Sequence, residues 1–343
     1  MDGLTQAVLI ICILHLIFKI IKMMKKIFLI VGILILSCSK DQEINSEENT
    51  NDDIVDNTIK YLEEEIIICG GNSVFIVSID IEKNKNNIIW GWQPNDASSL
   101  PITYQQNYFS TIDECKPTNE GKEIMITSSK GGVVIIDKKS KDAIFYTYVA
   151  NAHSIEELPN NIIAVAAANH EEGNSISLFN KNESGGNAIF KDDLFGAHGV
   201  VWDKQQQILY ALGSTNLRTY KLVIETNTSP FLDKLKELKL PDGGGHDLVA
   251  SPNDSNELIL TTSNNVWKFN KQSSTFSEFT PLANVKSVKG VSVKNNQNNE
   301  QRIIYIKAEE EWWSHNIYLI NPEYKISFPG NNLYKVRWMD QYV

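Results

Sequence analysis

The chain has 343 residues, a formal net charge of −10 and a sequence pI near 5.2. No basic stripe follows the N-terminal region, which excludes a general nucleic-acid binder. With 42% hydrophobic residues there is enough apolar material for one large core, and the frequent Asn, Ser and Gly suit many short strands joined by turns.

Residues 1–37 read as a targeting region and stay outside the fold argument. Lys25 and Lys26 precede the apolar stretch Ile27–Leu36, and Ile35-Leu36-Ser37-Cys38 follows. This order resembles a bacterial lipoprotein signal, which implies lipidation at Cys38 and anchoring at the cell envelope, at the outer membrane. A second apolar run, Ala7–Ile21, lies upstream, is short for a span and carries His15 and Lys19. The expected translation start is therefore Met23 or Met24, with a true N-terminal membrane anchor as the rival. Residues 38–62 form an acidic tether, and residues 41–65 hold ten Asp or Glu against one Lys. Such acidity after the cysteine resembles surface-export signals of some bacterial lipoproteins.

From residue 63 onward the chain repeats itself. An apolar strand closing on a turn residue recurs as VFIVSID (74–80), GVVIID (132–137), SISLFN (175–180), LRTYK (217–221), VWKFN (266–270) and IYLIN (317–321). Six copies at a spacing of roughly 40–60 residues suit propeller blades. Each copy follows a strand ending in small residues, such as EIMITSS (123–129) or IIAVAAA (162–168). These are the second and third strands of each blade. The expected fold is all-β, a six-bladed β-propeller over residues 63–343. The first blade lacks its own innermost strand. The terminal LYKVRWMDQ matches AHGVVWDKQ (197–205) in pattern and supplies that strand, closing the ring.

The remaining innermost strands begin at NAHSIEELP, GAHGVVWD and GGGHDLVASP. Their histidines, His153, His198 and His246, share one repeated position, which faces the mouth of the central channel. Counting back from the second strands adds Glu114 and Lys286 to that ring, and the terminal alignment lays Lys335 over His198. Two loops on the same face add candidates. NHEEGN (169–174) brings His170, and EEEWWSH (309–315) brings Trp312 and Trp313, whose faces can stack on a sugar ring. Trp90, Trp92, Trp202, Trp267 and Trp338 read as blade core. Cys69 and Cys115 remain outside the targeting region and could form a single disulfide in an oxidising compartment.

The phrases AHSIEELP, AHGVVWD, GGHDL, VKS and terminal YKVRW resemble a family of bacterial lipoprotein six-bladed propellers of unknown function. The resemblance covers roughly residues 63–343 and implies fold and envelope location rather than an activity. Histidine placement alone is also similar, more distantly, to propeller lyases such as oligogalacturonate lyase.

Three readings of the ring stand. Imidazoles with Lys286 and Lys335 suit a small anionic or carbohydrate ligand, so a monomeric binding module is preferred over an enzyme. Alternatively His153, His198, His246 and Glu114 hold a divalent metal, giving a lyase or hydrolase for acidic oligosaccharides. The third reading is a protein-interaction scaffold, with each imidazole merely bonded to a neighbouring backbone carbonyl. The aspartate that supports such histidines in WD-type repeats is missing from the turns SKGG, STN and SNN. No GxSxG, P-loop or strand-linked GxGxxG occurs.

Overall fold

A computed structural model of the protein describes residues 64–342 apart from residue 297. Cys38, the targeting region and the acidic tether lie outside the described residues.

The described chain is a six-bladed β-propeller of six four-stranded antiparallel sheets. The second strands are β1 (Glu64–Gly70), β5 (Glu123–Ser128), β9 (Ile162–Ala167), β13 (Ile208–Leu212), β17 (Glu257–Thr261) and β21 (Gln301–Lys307). The innermost strands are β24 (Leu333–Trp338), β4 (Ile112–Thr118), β8 (Ala152–Leu158), β12 (Gly199–Asp203), β16 (Asp247–Ala250) and β20 (Val288–Asn295). Each inner strand contacts the next, and β20 contacts β24, so the ring is closed around the channel. As the sequence implied, β24 pairs antiparallel with β1 and completes the first blade.

The middle strands of the second and third blades are buried along nearly their whole length because neighbouring blades cover both faces. All six residues of β9 are buried, and so are Gly132 to Ile136 of the third strand Gly132–Asp137. Small side chains in β9, Ala164, Ala166 and Ala167, let the blades approach. The turn residue that closes each third strand also has a physical role. Asp137 accepts from the backbone of Ser140 at 2.7 Å, and Asn270 accepts from Gln272 and Ser273 at 3.1 and 2.9 Å. Short carboxylate and amide side chains thus hold the turn to the fourth strand.

Trp92 and Trp338 are fully buried and Trp202 is nearly so, while Trp90 and Trp267 are half-buried at blade margins. Trp90 and Trp92 donate to the carbonyls of Lys138 and Lys141, tying the first blade to the second. Cys69 and Cys115 are free thiols in one buried cluster.

Candidate functional site

Four of the six inner strands carry one extra residue at the same point. Tyr334, Asp113, His153 and Lys289 are each skipped in the register between their strand and the second strand of the blade. In the fourth and fifth blades two residues also share one partner. Leu212 faces both His198 and Gly199, and Thr261 faces both His246 and Asp247. These are β-bulges, which re-aim a side chain out of the ladder. The channel mouth is therefore ringed by Tyr334, Asp113, His153, His198, His246 and Lys289.

The three histidines do share one position, and their rings meet. The His153 and His198 centroids are 4.4 Å apart, those of His198 and His246 are 5.1 Å apart, and Tyr334 lies 6.1 Å from His153. His153 Nδ1 bonds the Asn151 carbonyl at 3.0 Å and His198 Nδ1 bonds the Gly196 carbonyl at 2.8 Å. A carbonyl only accepts, so each Nδ1 carries a proton, and His153 Nε2 lies 3.9 Å from Asp113 Oδ1. His246 differs. Its Nε2 is 2.9 Å from Lys289 Nζ, and its buried Nδ1 has no partner.

The other three predicted ring members fall elsewhere. Lys286 is exposed and precedes β20, and Lys289 takes the expected place. The signal for it was present in the sequence, since Lys289-Gly290 repeats His198-Gly199. Both glycines sit where the next inner strand presses in. A Cβ on Gly199 would lie 2.7 Å from Leu248 Cβ, and one on Gly290 would lie 3.1 Å from Lys335 Cα. Glu114 and Lys335 lie one residue past the bulges, in a second layer that sequence counting merged with the first. There Lys335 Nζ donates to Asp247 Oδ1 at 2.7 Å. Arg337 reaches Asp247 at 2.8 and 2.7 Å and Glu114 at 3.0 Å. Asp247 thus anchors two cations of the closing strand.

This layering decides against the metal arrangement. Among the described residues no group of three or more His, Cys, Asp or Glu is placed to hold an ion. Glu114 is committed to Arg337, and the lone pair of His246 Nε2 faces an amine.

The electrostatics follow from burial. Desolvation, then the neighbouring imidazoles, holds His198 well below the usual histidine value. Desolvation, then Lys289 and Lys335, brings His246 down to about 3. Both are neutral at physiological pH. Lys289 is brought down to about 8 by desolvation and then by Lys335. Burial raises the Asp113 carboxyl, although it accepts from the backbone of Ser129.

Trp312 and Trp313 do reach the mouth. With Asp113, Tyr334 and Asn332 they line a cavity of about 90 Å³. Trp312 is 52% exposed, leaving a free aromatic face. His170 does not join the ring. It is exposed, and its Nδ1 accepts from Glu172 of its own loop. A larger cavity of about 1030 Å³ opens at the other end of the channel, lined by Lys116, Glu156, Glu157, Lys181 and Trp202. Its charges are largely satisfied internally. Lys181 pairs with Glu123 and Glu157 at 2.9 and 2.8 Å, and Lys116 donates to the Val200 and Ile155 carbonyls.

Comparison with known proteins adds fold and family. No curated protein matches the sequence. A nidogen/laminin complex contains a chain similar at TM-score 0.53 and 11% identity, over 80% of this chain and 97% of that one. A Bacteroides uniformis ATCC 8492 structure, a candidate 6-phosphogluconolactonase, aligns at TM-score 0.49 and 12% identity, over 79% of this chain and 81% of that one. At such identities the likeness concerns the fold. Residues 19–342 match the model described as "Family of unknown function (DUF6528)", and the chain belongs to that family.

Proposed function

We propose that this propeller binds a small acidic carbohydrate at the channel mouth, held at the cell envelope by an acyl chain on Cys38. The observation that carries the reading is the repeated position at the head of the six inner strands. Four strands each spend one residue outside the ladder, and His198 and His246 stand just ahead of the other two, so that each blade delivers a polar or aromatic side chain to the mouth. The neutral His198 imidazole accepts from a hydroxyl group through Nε2, and Asp113 offers a further acceptor. Lys289 supplies the charge for a carboxylate, and Trp312 supplies a face for a pyranose ring.

Calorimetric titration with methyl galacturonide tests it, with methyl galactoside as the uncharged control. The acidic sugar should bind, and Trp312→Ala and His198→Ala should each weaken it at least tenfold. Equal affinity in all three proteins, or no heat in the parent, overturns the reading. For the anchor, Cys38→Ser should move the protein from the membrane fraction to the soluble one. Unchanged partitioning would assign the anchor to the upstream apolar run.

A further inference from the structure

Lys289 stands apart from the other buried cations of the channel. Lys116, Lys335 and Arg337 each have a carboxylate within 4.0 Å. Lys289 is 9% exposed, and among the described residues no carboxylate lies within ion-pair distance of its Nζ. Its hydrogen-bond partner is the neutral His246 imidazole, whose other nitrogen is itself buried without a partner. The charged groups facing it from the adjoining strands are Lys335 on β24 and Asp247 on β16, and Asp247 is taken up by Lys335 and Arg337. Burying an ammonium without a counter-charge is costly. Desolvation beside a second cation is also how a protein obtains a lysine with a reactive lone pair.

We infer that Lys289 is a nucleophilic amine that captures a carbonyl compound, an aldehyde or a 2-keto acid, as an imine at the channel mouth. The inference rests on the mouth being a ligand site and names a second functional group it would accept. The lowered value near 8 is consistent with it, because a usable fraction of the side chain is then free amine near neutral pH. In the reaction the amine lone pair forms a bond to the carbonyl carbon, and the carbonyl oxygen takes up the proton leaving nitrogen. The carbinolamine then loses one water, which carries off the remaining nitrogen proton, and the C=N bond is complete. No electrons are exchanged. The neighbouring bulge residues set the size of the carbonyl compound that fits.

The test is reductive trapping. The folded protein is incubated with glyoxylate and cyanoborohydride, digested, and each lysine scored by peptide mass spectrometry. Lys289 should be alkylated at least tenfold faster than the median lysine. Its rate should level off above a pH of about 8, where ordinary lysines are still accelerating. Lys289→Arg should remove the fast site and keep the circular dichroism spectrum. Labelling that follows exposure, with Lys289 among the slowest, overturns the inference. Methyl galacturonide has its anomeric carbon locked and cannot form an imine, so its binding separates the two claims. Binding without capture overturns the imine and leaves the sugar site. Capture without binding does the reverse.

Discussion

Two layers of the same six strands, one residue apart, handle charge in opposite ways. In the deeper layer Asp247 and Glu114 meet Lys335 and Arg337, all four are fully buried, and each has an opposite charge at hand. The mouth layer carries the neutral imidazoles of His198 and His246, an amine without a carboxylate and a buried nitrogen without a partner. The first layer is a set of paired charges that joins the closing strand to the second and fifth blades. The second leaves its valences open. The lesson is that a repeated position cannot be assigned as structural or functional by residue type alone. Glu114 and His153 sit at neighbouring offsets and belong to different chemistries.

The sharpest way to break the contrast is to remove the strand that supplies the deep cations. Deleting residues 331–343 strips β24 from β1 and leaves Asp247 and Glu114 buried without Lys335 or Arg337. The expected outcome is loss of the cooperative thermal transition. A truncated protein that melts like the parent would show that ring closure contributes little.

Next comes Asp247→Asn, which keeps shape but removes one charge from a pair of cations. A buried ion pair broken on one side costs about 3–5 kcal/mol, read from the midpoint of denaturant unfolding. Acid should produce the same effect. The folded-state carboxyl is depressed by Arg337 and Lys335 against the cost of burial. Its contribution is therefore present above the unfolded value near 3.9 and lost as pH falls through the lower folded value. The Asn variant should lack that part of the acid limb.

The mouth layer should shift stability in the same direction with pH but for a different reason, since burial there disfavours the charged forms. His198 and His246 have lowered folded values, so below about 6.5 the unfolded chain binds more protons and stability falls with pH. Replacing both with Asn should flatten the profile between about 6.5 and 3. Lys289 adds a limb at high pH. Its folded value near 8 lies below the unfolded 10.5, so stability rises across that interval, and Lys289→Met should abolish the rise. Anion binding should weaken over the same interval, as the ammonium is lost.

The smallest expected effect sharpens the comparison most. His153→Ala removes one imidazole bond to a backbone carbonyl, worth about 1 kcal/mol, while sugar binding should fall at least tenfold. A loss of several kcal/mol, with binding unchanged, would move the histidine ring into the same structural class as the deep layer.

The blades were legible because their second and third strands carry redundant signals. The third strand VWKFN was placed without error, since an apolar run, a turn-holding Asn270 and the repeat all agree. Closure by β24 was legible from the match of its pattern to the fourth blade. Three ring positions were read correctly, two were off by one residue, and Lys286 was off by three from Lys289. A bulge inserts a residue without changing composition, so counting back from Glu123 landed on Glu114 rather than Asp113, and the terminal alignment landed on Lys335 rather than Tyr334. The correct offset was recoverable where a glycine marks the close approach, as in Lys289-Gly290. The charge state of the histidines was not legible, because desolvation depends on what three other strands place beside each ring.

The bulges have a consequence for how such a molecule can diversify. A residue that stands outside the ladder makes no cross-strand pair, so replacing it changes no register and disturbs neither neighbouring strand. The mouth can thus be rewritten without moving the sheets beneath it, although neighbours such as His246 and Lys289 touch and change together. Sequences that keep the glycines, the turn-holding Asx residues and the deep charge set can rewrite Tyr334, Asp113, His153, His198, His246 and Lys289. Swapping His246 and Lys289 together for two small apolar residues should convert a polar mouth to a greasy one within an unchanged propeller.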